Sequence, residues 1–270
     1  MRTVFFISDR TGMTAEALGN SLLTQFNDIE FMRVNIAFID SLSKAEHAAN
    51  QVKEASETDG QPALIFSTQI SKEYRQLLIN SGGIFFDFFE TFISKLEKTL
   101  GTKSSQTVGL LHSMTDENNY GNRIDSINFA LSCDDGLNIK NYDRADIILT
   151  GVSRSGKTPT CLFLALQYGI FAANYPLIDE DLETIKLPKI LQKNKNKLFG
   201  LSINPVRLQN IRDERRSNSG YASIDQCRKE VKLAEDMFVQ NQVPFLDTSH
   251  TSIEEIAGRI LNKSSIKRRY

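Results

Sequence analysis

The apolar residues of this chain fall into short runs that alternate with longer stretches of helical period. Val4-Phe5-Phe6-Ile7 is an apolar run with the pattern of a buried parallel strand, and Val34 to Ile39 and Ala63-Leu64-Ile65-Phe66 read as a second and a third strand. Between and after them the spacing predicts three helices. The first runs from about Thr14 to Phe26, with Ala15, Leu18 and Leu22 on one face. The second is opened by a Ser43/Glu46 capping box, and the third spans Ser71 to Ile79. Strand alternating with helix predicts a parallel sheet covered on both faces. The run Ile84-Phe85-Phe86-Asp87-Phe88-Phe89 fits either a strand or the start of a helix reaching about Leu100. From Gly101 to Asn118 the composition turns polar, which reads as a surface connection. A helix over Arg123 to Leu131 follows, stopped by Asp134-Asp135-Gly136.

The alternation resumes near Asn141. Strands are expected at Ile147 to Thr150, Phe171 to Tyr175, Leu198 to Ile203 and Pro244 to Leu246. A helix from Ser223 to Phe238 carries Ile224, Cys227, Val231, Ala234 and Phe238 on one stripe. The last helix begins with a Thr251/Glu254 capping box and turns Ile253, Ile256, Ala257, Ile260 and Leu261 inward. The fold expected is α/β: an N-terminal parallel α/β domain over 1–140, then a P-loop kinase-like α/β domain over 141–270.

Composition narrows the class. With 40% hydrophobic and 24% charged residues the chain has the make-up of a water-soluble globular protein. A net charge of −1 gives no overall field to draw it to nucleic acid or an anionic membrane. No apolar run approaches the roughly 18 residues of a membrane span, and the N-terminus enters a strand too soon for a signal peptide. Cys133, Cys161 and Cys227 are odd in number and far apart, which argues against a disulfide frame and suits a cytoplasmic protein. His47, His112 and His250 form no metal-ligand spacing.

The chemistry centres on Gly151-Val152-Ser153-Arg154-Ser155-Gly156-Lys157-Thr158, between the apolar run Ile147-Ile148-Leu149 and a helix-prone stretch. Strand, glycine loop, helix is the context that the phosphate-loop pattern G-x-x-x-x-G-K-[ST] requires. Chance alone gives the pattern roughly once in a hundred chains of this length. Backbone N–H groups of the loop would cradle phosphate oxygens, Lys157 would reach the terminal phosphates, and the Thr158 hydroxyl would sit on Mg²⁺. Pro159 suits a helix start, where its missing N–H is not needed.

Several other residues carry alternatives. No Asn-Lys-x-Asp motif is present, which argues against a GTPase. Phe245-Leu246-Asp247 is the one downstream run that resembles a Mg²⁺-binding strand end. Arg207, Arg212, Arg215 and Arg216 could neutralise a transferring phosphoryl group, or form a solvated face paired with Asp213 and Glu214. Arg154, inside the loop, is better placed for that role. Asp134-Asp135-Gly136 and Ser8-Asp9-Arg10-Thr11-Gly12 could each supply a carboxylate for the acceptor hydroxyl, or be simple turns.

The loop with Pro159 resembles the bifunctional regulatory proteins of phosphoenolpyruvate synthase and of pyruvate, phosphate dikinase. So do Ile7-Ser8-Asp9, Thr14-Ala15-Glu16, Asp134-Asp135-Gly136, Ala173-Asn174-Tyr175-Pro176-Leu177, Phe199-Gly200-Leu201, Pro205-Val206-Arg207-Leu208 with Ile211-Arg212, and Ser252-Ile253-Glu254-Glu255-Ile256-Ala257. Arg10 departs from the pattern, since many relatives carry a small residue there. The resemblance implies ADP as phosphoryl donor, a threonine of the target enzyme beside its catalytic phosphohistidine as acceptor, and removal of the group by inorganic phosphate with release of pyrophosphate. It implies that Gly151 to Thr158 hold ADP, that Lys157, Arg154 and Mg²⁺ on Thr158 offset charge, and that Asp134 or Asp135 handles the threonine proton. Tyr221-Ala222-Ser223, Gln226-Cys227-Arg228 and Arg268-Arg269-Tyr270 look like the phosphoenolpyruvate synthase branch, with pyruvate, phosphate dikinase the alternative target. A P-loop kinase of a small metabolite and a non-catalytic nucleotide-binding module are the competing readings. The oligomeric state stays open, a homodimer being one option.

Overall fold

The computed structural model describes residues 1–105, 117–215, 220–264 and 266. The chain divides into two compact units, Met1–Ser113 and Met114–Tyr270. Residues 117–140, grouped with the first half on sequence, therefore lie in the second unit.

The first unit holds β1 (Arg2–Ile7), α1 (Met13–Leu23), β2 (Phe31–Ile36), α2 (Leu42–Asp59), β3 (Leu64–Ser67), α3 (Lys72–Ile79), β4 (Ile84–Asp87) and α4 (Glu90–Leu100). Its four strands pair in parallel in the order β2-β1-β3-β4. Alternation sends the two faces of β1 to different cores. Val4 and Phe6 pack with Ala15, Leu23 and Phe66, and Phe5 and Ile7 with Ala45, Ala48, Val52 and Leu78. Each such fully buried Leu, Ile or Phe side chain contributes about 1.5–3 kcal/mol relative to exposure.

Three local expectations shift. On α1 the buried residues are Ala15, Gly19 and Leu23, while Leu18 and Leu22 stay largely exposed. Gly19 sets that rotation: a Cβ there would lie 2.5 Å from the Phe6 ring, so the helix packs against the sheet through its glycine. The cap of α2 is Ser41, which accepts from Lys44 N, rather than Ser43. The ambiguous run at 84–89 is both things at once: β4 ends at Asp87, whose carboxylate accepts from Phe89 N and Glu90 N and opens α4. Of the expected surface connection after Gly101, residues 106–116 lie outside the described ones.

The second unit holds α5 (Glu117–Ser132), β5 (Ile147–Gly151), α6 (Lys157–Tyr168), β6 (Ala172–Pro176), the short α7 (Asp179–Leu182) and α8 (Lys189–Lys193), β7 (Leu198–Ser202), α9 (Pro205–Arg215), α10 (Ile224–Gln240), β8 (Phe245–Asp247) and α11 (Ile253–Lys263). Its sheet is again parallel, in the order β6-β5-β7-β8. Ile147 and Leu149 of β5 pack with Cys161, Leu164 and Ile260. Ile148 faces the opposite core, with Leu208, Cys227, Ala234 and Phe238. The α10 stripe buries Cys227, Val231, Ala234 and Phe238 as its period predicts. The cap of α11 is Ser252, one residue after the expected Thr251, and Ile256, Ala257 and Ile260 are its buried residues. Among the described residues no helix is long and apolar enough to cross a membrane.

Candidate functional site

The site grows from the middle of the second sheet. From β5 the chain passes outward to β6 on one side, and then returns to β7 on the other, so the crevice beyond the C-terminal end of β5 lies where the strand order reverses. The segment Gly151 to Gly156 fills that position. Gly151 has φ 151°, and a Cβ there would fall 2.2 Å from the Leu201 carbonyl oxygen of β7, so no side chain fits. Gly156, φ 89°, is the N-cap of α6 and brings no side-chain cap to it. The leading amides of α6 thus keep their unpaired N–H groups, the feature that makes a helix start receptive to anions. Between the glycines Arg154, exposed, also takes a left-handed backbone, φ 77°.

Lys157 is 5% exposed, and its Nζ donates to the Val152 carbonyl at 2.8 Å. Burial pushes its pKa down to about 8, with the nearby charges of Asp135 and Asp134 opposing that shift. Beside it Thr158 Oγ1 donates to Asp134 Oδ1 at 2.8 Å. Asn174, buried on β6, donates from Nδ2 to the same Asp134 oxygen at 2.5 Å and to Thr158 Oγ1 at 3.0 Å. The backbone explains the meeting: Asn174 N donates to the Cys133 carbonyl at 3.0 Å, seating the Asp134–Gly136 turn against β6. Asp135 is exposed, with φ 47°. Two side-chain oxygens here, Ser155 Oγ and Asn174 Oδ1, are buried without a partner among the described residues. Buried unpaired polar atoms cost stability, so such atoms in a glycine cradle fit a polar occupant.

The arginine cluster separates. Arg207 and Arg215 are exposed on α9, and Arg216 lies outside the described residues. Arg212 is 1% exposed and pairs with Glu230 of α10, at 2.6 Å and 3.1 Å, rather than with Asp213 or Glu214. It is a buried member of the frame, not a solvated lid residue. Asp247 ends the edge strand β8, two strands from β5, and accepts from Ser249 N and Ser249 Oγ. The next residue, Thr248, donates its hydroxyl to the Ser155 carbonyl of the loop at 3.2 Å, while the Asp247 carboxylate itself is engaged by Ser249. Asp9 belongs to the first unit, where its Oδ2 accepts from Ile70 N and burial raises its pKa. Cys161 is a core residue whose Sγ donates to the Ala173 carbonyl, with burial raising the thiol pKa.

Sequence reasoning gave no role to Asn174, Tyr221 or Glu230. Asn174 had a signal, a lone amide in the otherwise apolar run Phe171 to Tyr175. Tyr221 and Glu230 had none, because both meet their partners only through the tertiary fold.

A parallel α/β unit whose central strand runs into a glycine loop and a lysine-bearing helix has the strand–loop–helix order that the phosphate-loop pattern requires. The chain belongs to the kinase/pyrophosphorylase family, whose pattern matches residues 4–261. A protein of Pseudomonas aeruginosa, provisionally named phosphoenolpyruvate synthase regulatory protein, is 49% identical over 269 residues, covering 100% of this chain and 98% of its own length. Relatives with the same provisional name from Hahella chejuensis, 50% identical, and Marinobacter nauticus, 49% identical, each match over 267 residues, 99% of this chain and 98% of theirs.

Proposed function

We propose that this chain regulates phosphoenolpyruvate synthase by reversible phosphorylation of a threonine. In the forward direction the β-phosphoryl group of ADP passes to the threonine hydroxyl, and AMP and a proton leave. In the reverse direction inorganic phosphate attacks the phosphothreonine, freeing the threonine and leaving as pyrophosphate. The observation that carries the reading is the convergence of Lys157, Thr158 and Asp134 at the Gly151–Thr158 loop. The choice of target rests on the names of the relatives, and the choice of ADP on the resemblance of the sequence.

The residues divide the work as follows. Loop amides from Val152 to Thr158 bind a diphosphate, which two phosphates suffice to fill. Lys157 exchanges the Val152 carbonyl for a phosphate oxygen, which offsets charge that its burial otherwise leaves poorly compensated. Thr158 and Asp134 are the residues that would hold Mg²⁺, both offering hard oxygen. Among the described residues no group of three His, Cys, Asp or Glu side chains could hold a metal alone, so nucleotide oxygens and water would have to complete the set. When bound, the ion supplies charge neutralisation on the transferring group. Asn174 fixes the Asp134 carboxylate and the Thr158 hydroxyl in register. Asp135, exposed next to Lys157, takes the threonine proton. Arg154 reaches from the loop over the equatorial oxygens.

The test uses purified full-length protein, phosphoenolpyruvate synthase carrying its phosphohistidine, ADP and Mg²⁺. Phosphothreonine is expected on the synthase with ADP, not with ATP, and not with Lys157→Ala. Added phosphate then releases pyrophosphate. Phosphothreonine on pyruvate, phosphate dikinase alone would move the target, and ATP-driven phosphorylation of a metabolite with no protein acceptor would overturn the reading.

A further inference from the structure

The carbonyls of two successive loop residues are each held by a buried cation. Val152 O accepts from Lys157 Nζ at 2.8 Å, and Ser153 O accepts from Arg212 Nη2 at 3.3 Å. The described peptides are all trans, and in a trans peptide the C=O and the following N–H point opposite ways. Holding Ser153 O therefore fixes where the Arg154 N–H points. Arg154 is also the loop residue at φ 77°, so the peptide in question is the one at which the chain reverses.

Arg212 is itself locked from three directions. Its two terminal nitrogens fork onto both Glu230 oxygens, Nη1 also donates to the Tyr221 carbonyl at 2.9 Å, and the guanidinium lies 3.9 Å from the Tyr221 ring centre. Its Nε is buried without a partner among the described residues. Tyr221 then reaches the same loop residue by a second route, donating its hydroxyl to Ser153 Oγ at 2.8 Å. Tyr221 is 37% exposed, so water could serve both hydroxyls if binding the helices together were the whole purpose. Both the main chain and the side chain of Ser153 are thus gripped by one stacked Arg–Tyr pair.

We infer that Arg212 and Tyr221 are positioning residues for nucleotide binding: they hold the Ser153–Arg154 peptide in the orientation that turns the Arg154 N–H toward the bound phosphates. The inference rests on the proposed nucleotide reading of the loop. Neither residue touches the ligand. Arg212 acts through the Ser153 carbonyl, and Tyr221 through the Ser153 hydroxyl and by stacking on Arg212. A lysine at 212 would keep the charge but not the planar fork, so Arg212→Lys does not replace it.

The experiment is a double-mutant cycle on ADP affinity by calorimetry, in the full chain with Mg²⁺, using Tyr221→Phe, Ser153→Ala and the pair. Each single change removes one hydrogen bond and is expected to weaken ADP about 3- to 10-fold. Because both act on the same bond, the double variant should bind no more weakly than the weaker single one. Tyr221→Phe should leave the unfolding midpoint within about 2 °C of the parent, and turnover at saturating ADP unchanged, since only binding is affected. Arg212→Lys should weaken ADP further than Tyr221→Phe. If Arg212→Lys fails to fold, the cycle on Tyr221 and Ser153 decides alone. Additive losses, or an unchanged affinity in Tyr221→Phe, would overturn the inference while leaving the nucleotide reading intact. Failure of the parent protein to bind ADP would remove both.

Discussion

Thr158 on α6 donates a hydrogen bond from its hydroxyl to Asp134 Oδ1 at 2.8 Å, although the two stand 24 residues apart in the chain. Asn174 completes the triangle from β6. The arrangement separates the two neighbouring aspartates by job: Asp134 is tied to the loop helix, and Asp135 is exposed to solvent. Asp134→Asn keeps an acceptor oxygen for Thr158, so the fold should survive. Phosphoryl transfer should fall by about 10²–10³-fold, with a higher Mg²⁺ requirement. Asp135→Asn should cost about 10²–10⁴-fold with the Mg²⁺ requirement unchanged. Rates measured across a Mg²⁺ titration distinguish them, and equal Mg²⁺ curves for the two variants would refute the division.

Lys157 makes nucleotide affinity and stability respond to pH in opposite senses. Burial lowers its folded pKa to about 8, from 10.5 in the unfolded chain. Between those values the unfolded chain holds the proton and the folded one does not, so stability rises with pH, by up to about 1 kcal/mol per unit. Below pH 8 both states are protonated, and the full penalty of the buried charge is present. ADP needs the charged amine, so its affinity should fall as pH rises through 8, approaching tenfold per unit. Calorimetric Kd and unfolding midpoints from pH 7 to 10 check both slopes. Lys157→Met should abolish binding, flatten the stability slope and raise the midpoint at pH 7.

The central strands and the loop were legible in the sequence because both are written locally: a buried parallel strand is an apolar run, and the loop is a contiguous pattern. The half-exposed edge strand β2, by contrast, runs Phe31–Ile36 rather than the expected Val34 to Ile39. What escaped were side chains whose partners are distant. Nothing near Arg212 in sequence predicts Glu230, and Asp213 and Glu214 beside it were the wrong partners because a helix turns them away from the core. The caps of α2 and α11 slipped by two residues and one because Ser41 and Ser43 flank the start of α2, and Thr251 and Ser252 stand side by side before α11. The face of α1 was misread because Gly19, which has no side chain to register as apolar, is the residue packed on Phe6.

The two glycines of the loop should differ sharply on mutation. At Gly151 an added Cβ would meet the Leu201 backbone oxygen at 2.2 Å, and that oxygen cannot move without parting β7 from β5. Gly151→Ala should destabilise the second unit by more than about 3 kcal/mol. At Gly156 the added Cβ meets nothing within 4 Å, and only the left-handed backbone, φ 89°, resists it. Gly156→Ala should cost about 1–2 kcal/mol and leave a folded protein. Chemical denaturation of both variants tests the contrast, and similar midpoints would contradict the close approach at Gly151.

Arg154 holds a left-handed backbone that costs a non-glycine residue about 1–2 kcal/mol, yet its side chain is exposed and makes no burial gain in return. A strained residue persisting at a loop of this kind points to chemistry rather than to folding. Arg154→Gly removes the strain, and the looser unfolded chain gives back about 0.5–1 kcal/mol of that gain. The variant should therefore be as stable as the parent or slightly more so. Transfer at saturating ADP should nonetheless fall by about 10²–10³-fold, because the charge that meets the transferring group is gone. Arg154→Lys should keep the strain and recover part of the rate. Denaturation midpoints and single-turnover rates on the same preparations separate the two effects, and a full rate in Arg154→Gly would assign the strained backbone to the turn alone.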